Sequence, residues 1–261
     1  MNLELKNRRV LVTGSTRGIG EAIAKVFAAE GAQVVIHGRD EKRAAEAVQE
    51  IRSQGGSAER VVGDLADNQE AAQVAQSACE AFGGIDILVN NAGVFRPRGW
   101  WNTTPEDWLD IYNRNVVSTV RLIKALVPTM KDRGWGRVIQ ISSGMALLPN
   151  ATMADYAATK IANALTSVSL SLELAGSGVT VNTVSPGPIQ TPGSDDFFDE
   201  LSHASQASKA DLVNGFLSQL TVKRMGLPQD VADAVVFLAS EKASYINGVN
   251  LRVDGGYVKM L

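Results

Sequence analysis

The sequence predicts an α/β protein with a doubly wound parallel sheet of about seven strands, helices on both faces and a small helical lid. Two observations lead to this prediction. Short β-branched segments of almost continuous apolar character alternate along the chain with long amphipathic segments. Such strands are typical of a parallel sheet buried on both faces. Strict alternation of strands and helices also produces right-handed crossovers between parallel strands.

The individual elements follow from these two periodicities. Strands are predicted at residues 10–13, 33–37, 58–63, 85–90, 136–142, 179–185 and 247–254. Helices are predicted at about 19–30, 40–54, 68–82, 105–132, 153–176 and 229–240. This order is typical of a Rossmann-like sheet, in which ligands bind beyond the carboxyl ends of the strands.

One segment interrupts the alternation. Residues 187–222, which follow the sixth strand, are polar and helical only in parts. A segment that leaves the carboxyl edge of such a sheet can close over a ligand, so we predict a lid at about 188–222. A surface excursion without a role is the alternative. The sequence contains no repeat, low-complexity tract or linker, which favours a single domain over residues 1–261.

Composition narrows the classes of function. The net charge is −3 and basic residues are scattered among acidic ones, so nucleic acid is not an expected partner. No stretch approaches about 18 uninterrupted apolar residues, and the amino terminus lacks the apolar run of a signal peptide. We therefore expect no membrane association and a cytoplasmic location.

Neither disulfide nor metal chemistry is indicated. Cys79 is the one cysteine, which excludes an intramolecular disulfide and fits a reducing compartment. We interpret it as a small buried apolar residue. The only histidines are His37 and His203, and these ligands are too few for a typical zinc site. We predict no metal site, although a metal held by carboxylates alone stays open.

The turn after the first strand carries three glycines. In TGSTRGIG, Gly14, Gly18 and Gly20 let the backbone bend and come close to a pyrophosphate, which the amino end of the next helix then faces. A glycine-rich turn alone can be just a tight turn. Its place between a strand and a helix, at the first such junction of the chain, predicts dinucleotide binding.

The end of the second strand indicates which dinucleotide is preferred. An NAD site usually offers a carboxylate to the ribose 2′-hydroxyl there, whereas a 2′-phosphate is bound by arginine. Arg39 lies just past this strand, and Arg17 lies in the glycine turn. The two cations favour NADP(H) over NAD(H). Asp40 could be a ribose ligand or a helix cap, and we favour the cap.

Tyr156 and Lys160 stand four residues apart in the segment YAATK. Residues at i and i+4 share one face of a helix, so the phenol and the ammonium can approach a common point. A single pair of this kind is more often a helix surface on which a lysine extends past a ring. The rest of the chain decides between the two interpretations.

Several motifs resemble those of one family when they are taken in order. They are the glycine turn at 13–20, NNAG at 90–93, Asn115 in NRNVVS, Ser143 in ISS, Tyr156 and Lys160, SPGP at 185–188 with Thr191, and VDGG at 253–256. From about Lys6 to Gly256 the chain resembles the short-chain dehydrogenase/reductase family, in its single-domain branch. Singly, each motif could be a turn, a cap or a buried amide.

The resemblance implies a catalytic set and a cofactor site. Tyr156 would act as the acid/base, Lys160 would lower its pKa and bind the nicotinamide ribose, Ser143 would hold the substrate oxygen, and Asn115 would support a water that connects Lys160 to solvent. Asp64 would face the adenine. The implied cofactor-binding residues are Gly14, Thr16, Arg17, Gly18, Ile19, Gly20, Arg39, Asp64, Leu65, Asn91, Ala92, Gly93, Tyr156, Lys160, Pro186, Gly187, Ile189 and Thr191.

The expected reaction is therefore NADP(H)-dependent interconversion of a carbonyl compound and a secondary alcohol, similar to that of 3-oxoacyl carrier-protein reductases. The alternatives are an NAD-preferring polyol, sugar or hydroxy-acid dehydrogenase and, less favoured, a non-catalytic NADP-binding sensor. The resemblance also implies a homodimer or homotetramer that pairs through the helices at 105–132 and 153–176.

The substrate pocket is expected to be mostly apolar. Its predicted wall consists of Phe95, Trp100, residues 145–149, Met153, Ile189, Phe197 and Phe198. A moderately hydrophobic carbonyl compound is the expected substrate, although several of these residues could pack only against one another. Arg96 and Arg98 could contact an acidic group, but we favour a solvated loop for both.

Overall fold

The structure is a computed structural model that describes residues 2–259. Its centre is a parallel sheet in the order β3-β2-β1-β4-β5-β6-β7. The strands are β1 Arg9–Val12, β2 Gln33–Gly38, β3 Ser57–Val62, β4 Ile87–Asn90, β5 Gly136–Ile141, β6 Val179–Pro186 and β7 Asn250–Val253. The prediction of a seven-stranded, doubly wound parallel sheet is confirmed.

Helices cover both faces of the sheet. They are α1 Gly18–Ala29, α2 Glu41–Ser53, α3 Asn68–Phe82, α4 Pro105–Tyr112, α5 Ser118–Asp132, α6 Ala154–Glu173, α7 Pro192–Ser205, α8 Lys209–Gln219 and α9 Pro228–Leu238. Apolar residues of α1, α2 and α9 pack on one face of the sheet, and those of α3, α5 and α6 pack on the other. The central strands are therefore buried on both sides, which is why the apolar runs of β1 and β4 are almost unbroken, whereas the edge strand β3 is partly exposed and includes Glu59 and Arg60.

The strand order places the site. β1 pairs with β2 on one side and with β4 on the other, so the chain runs outward from β1 to β3 and then returns to continue from β4. The loops after β1 and β4 therefore diverge and leave a crevice at the carboxyl ends of these strands. Ligands of open α/β sheets bind at such a switch point.

The helix predicted at 105–132 is interrupted in the structure. α4 and α5 are joined by a π-helical turn at Asn113–Val117, a widening that periodicity does not reveal. The turn frees the Asn115 carbonyl oxygen, which accepts a hydrogen bond from Asn163 Nδ2 of α6 at 2.9 Å. The side chain of Asn115 is thereby turned toward the site described below.

The segment at 187–222 contains two helices, α7 and α8, which pack on each other through aromatic rings. The ring centroids of Phe197 and Phe198 lie 6.3 and 5.4 Å from that of Phe216. Beyond them, Ile189 forms an isolated parallel bridge with Gly226. The segment is therefore folded, and its apolar side faces the carboxyl edge of the sheet.

Three smaller findings concern the described residues. Cys79 is half-buried rather than buried, because it packs at the edge of the apolar layer of α3. None of the helices in 2–259 combines the length and the apolar character that a bilayer crossing requires. Within the same residues, no three His, Cys, Asp or Glu side chains are grouped as metal ligands.

Candidate active site

A cavity of about 450 Å³ opens at the carboxyl ends of the strands. Its lining includes Ser143 and every residue that the family resemblance assigns to the cofactor. Asn115, the remaining member of the predicted catalytic set, does not line the cavity, because it is fully buried behind the cavity wall. The cavity extends from Arg39 and Asp64 at one end to the aromatic rings of α7 and α8 at the other. This elongated shape suits a dinucleotide with a substrate beside its nicotinamide.

The glycine turn is held by side chains from neighbouring strands. Asn91 Nδ2 donates to the carbonyl oxygens of Thr13, at 2.9 Å, and Gly14, at 3.1 Å. A Cβ atom at Gly20 would lie 2.3 Å from the Gly14 carbonyl oxygen and 2.5 Å from Asn91 Nδ2, so only glycine fits there. The turn thus keeps its backbone open toward the cavity at the amino end of α1, where a pyrophosphate would bind.

His37, which the sequence did not single out for this site, also holds the turn. Its Nδ1 accepts a hydrogen bond from the Gly14 N–H at 3.1 Å, and its Nε2 lies 3.1 Å from the Gly63 carbonyl oxygen. These partners fix the neutral tautomer with the proton on Nε2. Burial lowers the pKa of His37 to about 4, so the ring stays neutral near pH 7. Its place at the end of β2 is the only sequence signal for this role.

Two cations stand at the far end of the cavity. Arg17 and Arg39 both line it and are exposed, which leaves their guanidinium groups accessible to a phosphate. Asp40 caps α2 by accepting a hydrogen bond from the Arg43 N–H at 3.1 Å, as the sequence favoured. It is not among the residues that line the cavity. The donor set therefore fits a ribose 2′-phosphate better than a free 2′-hydroxyl.

Asp64 lies between Arg39 and Arg114, a residue of the π-helical turn. Its Oδ2 is 3.2 Å from Arg114 Nη1 and 3.9 Å from Arg39 Nη1. Burial alone would raise the pKa of this carboxyl, but the Ala66 N–H and the Arg114 guanidinium outweigh burial and lower it. Arg114, which also lines the cavity, was missed in the sequence because its partner is 50 residues away.

Tyr156 and Lys160 lie on the first turns of α6, facing the end of β5. Lys160 Nζ is 5.5 Å from the centre of the Tyr156 ring and donates to the Ile141 carbonyl oxygen at 2.8 Å. Ser142 Oγ donates to the Lys160 carbonyl oxygen at 2.7 Å and so fixes α6 against this strand. The Ser143 hydroxyl lies within hydrogen-bonding reach of the phenol. Three side chains from two elements thus meet at one end of the cavity.

The pKa values of this group depart from the sequence prediction. Burial raises the pKa of Tyr156 to about 12, and the hydrogen bond with Ser143 opposes this rise only in part. Burial also lowers the pKa of Lys160 to about 8. The side chains alone therefore do not give the tyrosine the lowered pKa that the resemblance implies. Desolvation disfavours the charged form of both side chains, the phenolate and the ammonium.

Asn115 closes the rear of the site. Its Oδ1 accepts from the Val94 N–H at 2.8 Å, and its Nδ2 donates to the Val94 carbonyl oxygen at 2.9 Å and to Thr159 Oγ1 at 3.1 Å. A Cβ atom at Gly93 would lie 3.3 Å from Asn115 Oδ1 and 3.4 Å from Lys160 Nζ. Asn115 therefore joins the loop after β4 to α6, directly behind Lys160.

The buried lysine predicts a measurable stability difference. A pKa lowered from 10.5 to about 8 corresponds to a cost of about 3 kcal/mol for the charged form at pH 7. We expect Lys160→Met to raise the free energy of unfolding of the cofactor-free protein by about 1–3 kcal/mol at pH 7, because the hydrogen bond to Ile141 is lost at the same time.

The pH dependence of this difference has a definite sign. Between pH 8 and 10.5 the folded chain binds fewer protons at Lys160 than the unfolded chain, so wild-type stability increases with pH relative to the variant. Urea unfolding of both proteins at pH 7 and pH 10.5 measures this, and the two should become nearly equal at the higher pH. A variant less stable than wild type at pH 7 would contradict the assignment of a costly buried charge.

The wall next to Tyr156 is aromatic and apolar. The Phe95 ring meets the Tyr156 ring edge to face, with centroids 5.8 Å apart, and its centroid lies 6.4 Å from that of Phe197. The other apolar members of this wall are Met145, Met153, Ile189, Phe198, Phe216 and Met225. Of the predicted wall, Trp100 and residues 146–149 do not line the cavity. Trp100 packs on Trp108 instead, with centroids 5.5 Å apart.

The interpretation of Arg98 as part of a solvated loop is wrong. Its guanidinium forms ion pairs with Asp107 and Asp155, and its side chain is only 20% exposed. Arg96 is exposed, as predicted. The two arginines differ because only Arg98 faces the start of α6, and the partner Asp155 is 57 residues away in the sequence.

Sequences similar to this chain include reductases and a dehydrogenase. The family model described as enoyl-(acyl carrier protein) reductase matches residues 14–258. The chain is 38% identical over 256 residues to the 3-oxoacyl-[acyl-carrier-protein] reductase FabG of Escherichia coli, with 98% of each chain covered. It is 37% identical over 253 residues to the 2,5-dichloro-2,5-cyclohexadiene-1,4-diol dehydrogenase LinX of Sphingobium indicum, with 97% of each chain covered.

A solved structure shows the same similarity in three dimensions. The L-sorbose reductase of Gluconobacter frateurii, complexed with NADPH and L-sorbose, superposes with a TM-score of 0.94 at 33% identity, with 100% of each chain covered. The match therefore includes the glycine turn, both arms of the crevice and the segment of α7 and α8. The chain belongs to the short-chain dehydrogenase/reductase family of NAD(P)-binding oxidoreductases.

Proposed function

We propose that this protein is an NADP(H)-dependent reductase that converts a neutral, predominantly apolar carbonyl compound into a secondary alcohol. The observation that carries the proposal is the meeting of Tyr156, Ser143 and Lys160 at one end of a cavity whose other end presents Arg17 and Arg39. The first group suits proton transfer to a carbonyl oxygen. The second suits a ribose 2′-phosphate.

When bound, NADPH supplies the hydride, and the chain supplies placement and the proton. Ser143 Oγ–H would donate to the substrate carbonyl oxygen and hold it beside the phenol. Tyr156 would transfer its proton to that oxygen as negative charge develops there. Lys160 would hold the ribose, and its charge would support the phenolate that remains. Asn115, which ties the Val94 backbone to α6, would keep the loop after β4 in register with these groups.

The protonated phenol of Tyr156 suits the acid role that carbonyl reduction requires. A tyrosine with a pKa of about 12 carries its proton throughout the neutral range and can act as an acid without prior protonation. Oxidation of an alcohol would first require the phenolate, which burial disfavours.

The wall around the reacting groups supports an apolar substrate. Among the described residues, the charged side chains that line the cavity are Arg17, Arg39, Asp64, Arg114 and Lys160. All but Lys160 belong to the far end, where they surround the predicted 2′-phosphate and adenine positions. A sugar acid or a polyol would leave most of its polar groups facing phenylalanine and methionine side chains, which costs free energy for each unpaired group.

A substrate panel tests this proposal. Initial rates of NADPH oxidation would be compared for aryl and cyclic ketones, a 3-oxoacyl thioester, L-sorbose and a keto-gluconate. We expect kcat/KM to be at least about 100-fold higher for the apolar ketones than for the last two, because each unpaired polar group in an apolar wall costs on the order of 1–3 kcal/mol. Preferential reduction of L-sorbose or the keto-gluconate would contradict the apolar substrate class.

Two alternatives compete with the proposal. An NAD-preferring polyol or hydroxy-acid dehydrogenase is disfavoured by the position of Asp40, which caps α2 instead of facing the cavity. A non-catalytic NADP sensor is disfavoured because Tyr156, Lys160 and Ser143 are all present and grouped together. The same panel run with NADH as well as NADPH separates these alternatives, since the first would reduce polar substrates with NADH and the second would bind NADPH without turnover.

A homo-oligomer is also part of the proposal. Exposed apolar side chains occur on α4 and α5, including Leu109 and Val120, and on α6, including Leu165 and Leu172. These are the helices through which the family resemblance implies pairing. Leu165 and Leu172 are 63% and 73% exposed in the single chain, a cost that a second copy would remove.

A further inference from the structure

The loop after β4 is bound to the segment just before α6 by main-chain hydrogen bonds. The N–H groups of Arg98 and Gly99 both donate to the Thr152 carbonyl oxygen, at 3.0 and 2.9 Å. This loop carries Phe95, whose ring lies edge to face on the Tyr156 ring. The substrate-side loop and the first turn of the catalytic helix therefore form one connected unit.

Asp155 is the polar centre of this unit. It is 2% exposed and stands directly before Tyr156 in α6. One carboxylate oxygen, Oδ1, accepts a hydrogen bond from the Tyr156 backbone N–H at 2.8 Å. The other, Oδ2, accepts from Arg98 Nη2, also at 2.8 Å. A single buried carboxylate thus connects the main chain of Tyr156 with a guanidinium from the opposite loop.

Arg98 extends the connection to a third element. Its Nη1 forms an ion pair with Asp107 Oδ1, and Asp107 closes the amino end of α4 through reciprocal hydrogen bonds with Thr104. The planar guanidinium presents its N–H donors in a fixed fork, so it can hold two carboxylates at a set separation, which a lysine ammonium does not do. Arg98 therefore fixes α4, the substrate-side loop and α6 relative to one another.

We propose that Arg98 and Asp155 are positioning residues for Tyr156: their ion pair sets the position of the phenol and of the Phe95 ring that packs on it. This inference rests on the proposed function only for its kinetic consequences, since the contacts exist in the chain itself. It adds two residues to the site that neither touch the cofactor cavity nor belong to the catalytic set.

The burial of Asp155 explains why the pair acts as a unit. A carboxylate at this depth is stable only while its charge is matched, and removal of one partner leaves the other uncompensated. Loss of Arg98 would therefore release Asp155 from the loop and disturb its hydrogen bond to the Tyr156 N–H. The phenol is carried on that same turn, and misplacement by about 1 Å is enough to slow a reaction about 100-fold.

The test compares Arg98→Met, Asp155→Asn, the double variant and the control Arg96→Met, an exposed arginine of the same loop. With the best ketone of the panel, we expect each single variant to lower kcat by about tenfold or more, with the Kd for NADPH within about twofold of wild type. The double variant should lose no more than the worse single variant, since both remove one interaction. Arg98→Lys should restore part of the rate, and Arg96→Met should behave as wild type.

A second measurement does not depend on turnover. Amide hydrogen exchange of the cofactor-free proteins should rise together in the segments 94–104 and 152–158 for both single variants, and in neither segment for Arg96→Met. Exchange that rises in the loop alone, additive kinetic losses, or a lower melting temperature with unchanged kcat would each overturn the positioning role. A wild-type protein that reduces no carbonyl compound would refute the proposed function, while the exchange result would still decide the link between Arg98 and Asp155.

Discussion

Replacement of Tyr156 by phenylalanine is expected to lower kcat/KM for carbonyl reduction by about 1,000-fold or more, because positioned general acids contribute about 10²–10⁴-fold and the hydroxyl also orients the substrate. The substitution removes one oxygen atom and keeps the ring, so the edge-to-face contact with Phe95 and the packing of α6 should persist. The Kd for NADPH should change by no more than about threefold, since Lys160 and the glycine turn are untouched.

A matched control exists in the same cavity. Tyr257 also lines it and is nearly buried, but it follows β7 and does not belong to the group of Tyr156, Ser143 and Lys160. Tyr257→Phe should retain turnover within about threefold, because no proton transfer is assigned to it. Stopped-flow mixing of enzyme and NADPH with ketone would give the rate of the chemical step. Retention of more than a tenth of the wild-type rate by Tyr156→Phe would contradict the acid role.

The double variant Arg17→Ala/Arg39→Ala is expected to raise the Kd for NADPH by about 100-fold and to leave the Kd for NADH nearly unchanged. Each guanidinium is exposed, so one charge-assisted hydrogen bond to the 2′-phosphate should contribute about 1.4 kcal/mol, a factor of about ten. Two such contacts together would change the Kd by a factor of about 100. Because NADH lacks this phosphate, it provides the reference for every other part of the site.

Cofactor fluorescence titrations at two salt concentrations would measure this effect. NADPH binding to wild type should weaken with ionic strength more steeply than NADH binding, and the double variant should lose the difference. Arg43→Ala is the control, since Arg43 lies one helical turn beyond Arg39 and does not line the cavity. Equal losses for the two cofactors, or tighter binding of NADH by wild type, would contradict the assignment of Arg17 and Arg39.

Much of the fold could be predicted because its signals are local. The apolar runs of β1, β4 and β5, followed by amphipathic helices, define a parallel sheet without any knowledge of contacts. The glycine spacing of 14, 18 and 20 likewise records a backbone requirement, since the structure leaves no space for a Cβ at Gly20. The helix cap at Asp40 was also predictable, because the Arg43 N–H that it accepts from is only three residues away.

The rest depended on partners distant in the sequence. The pairing of Arg98 with Asp155 and that of Arg114 with Asp64 join positions 57 and 50 residues apart, and no periodicity records such distances. The π turn around Asn115 widens a helix without changing its apolar pattern. The pKa of Tyr156 depends mainly on how deeply the ring is buried. The sequence pattern shows that Lys160 is near, but it does not show this burial.

The transfer of deuterium from specifically labelled cofactor tests the central claim most directly. Ketone would be incubated with the protein and NADPH deuterated at the transferred position of the nicotinamide, and the alcohol would be analysed by mass spectrometry. We predict one deuterium on the carbinol carbon with the wild-type protein, and no labelled alcohol above background with Tyr156→Phe, although both proteins bind the cofactor. Absence of labelled alcohol from every ketone with wild type, or equal labelling by Tyr156→Phe, would contradict the account.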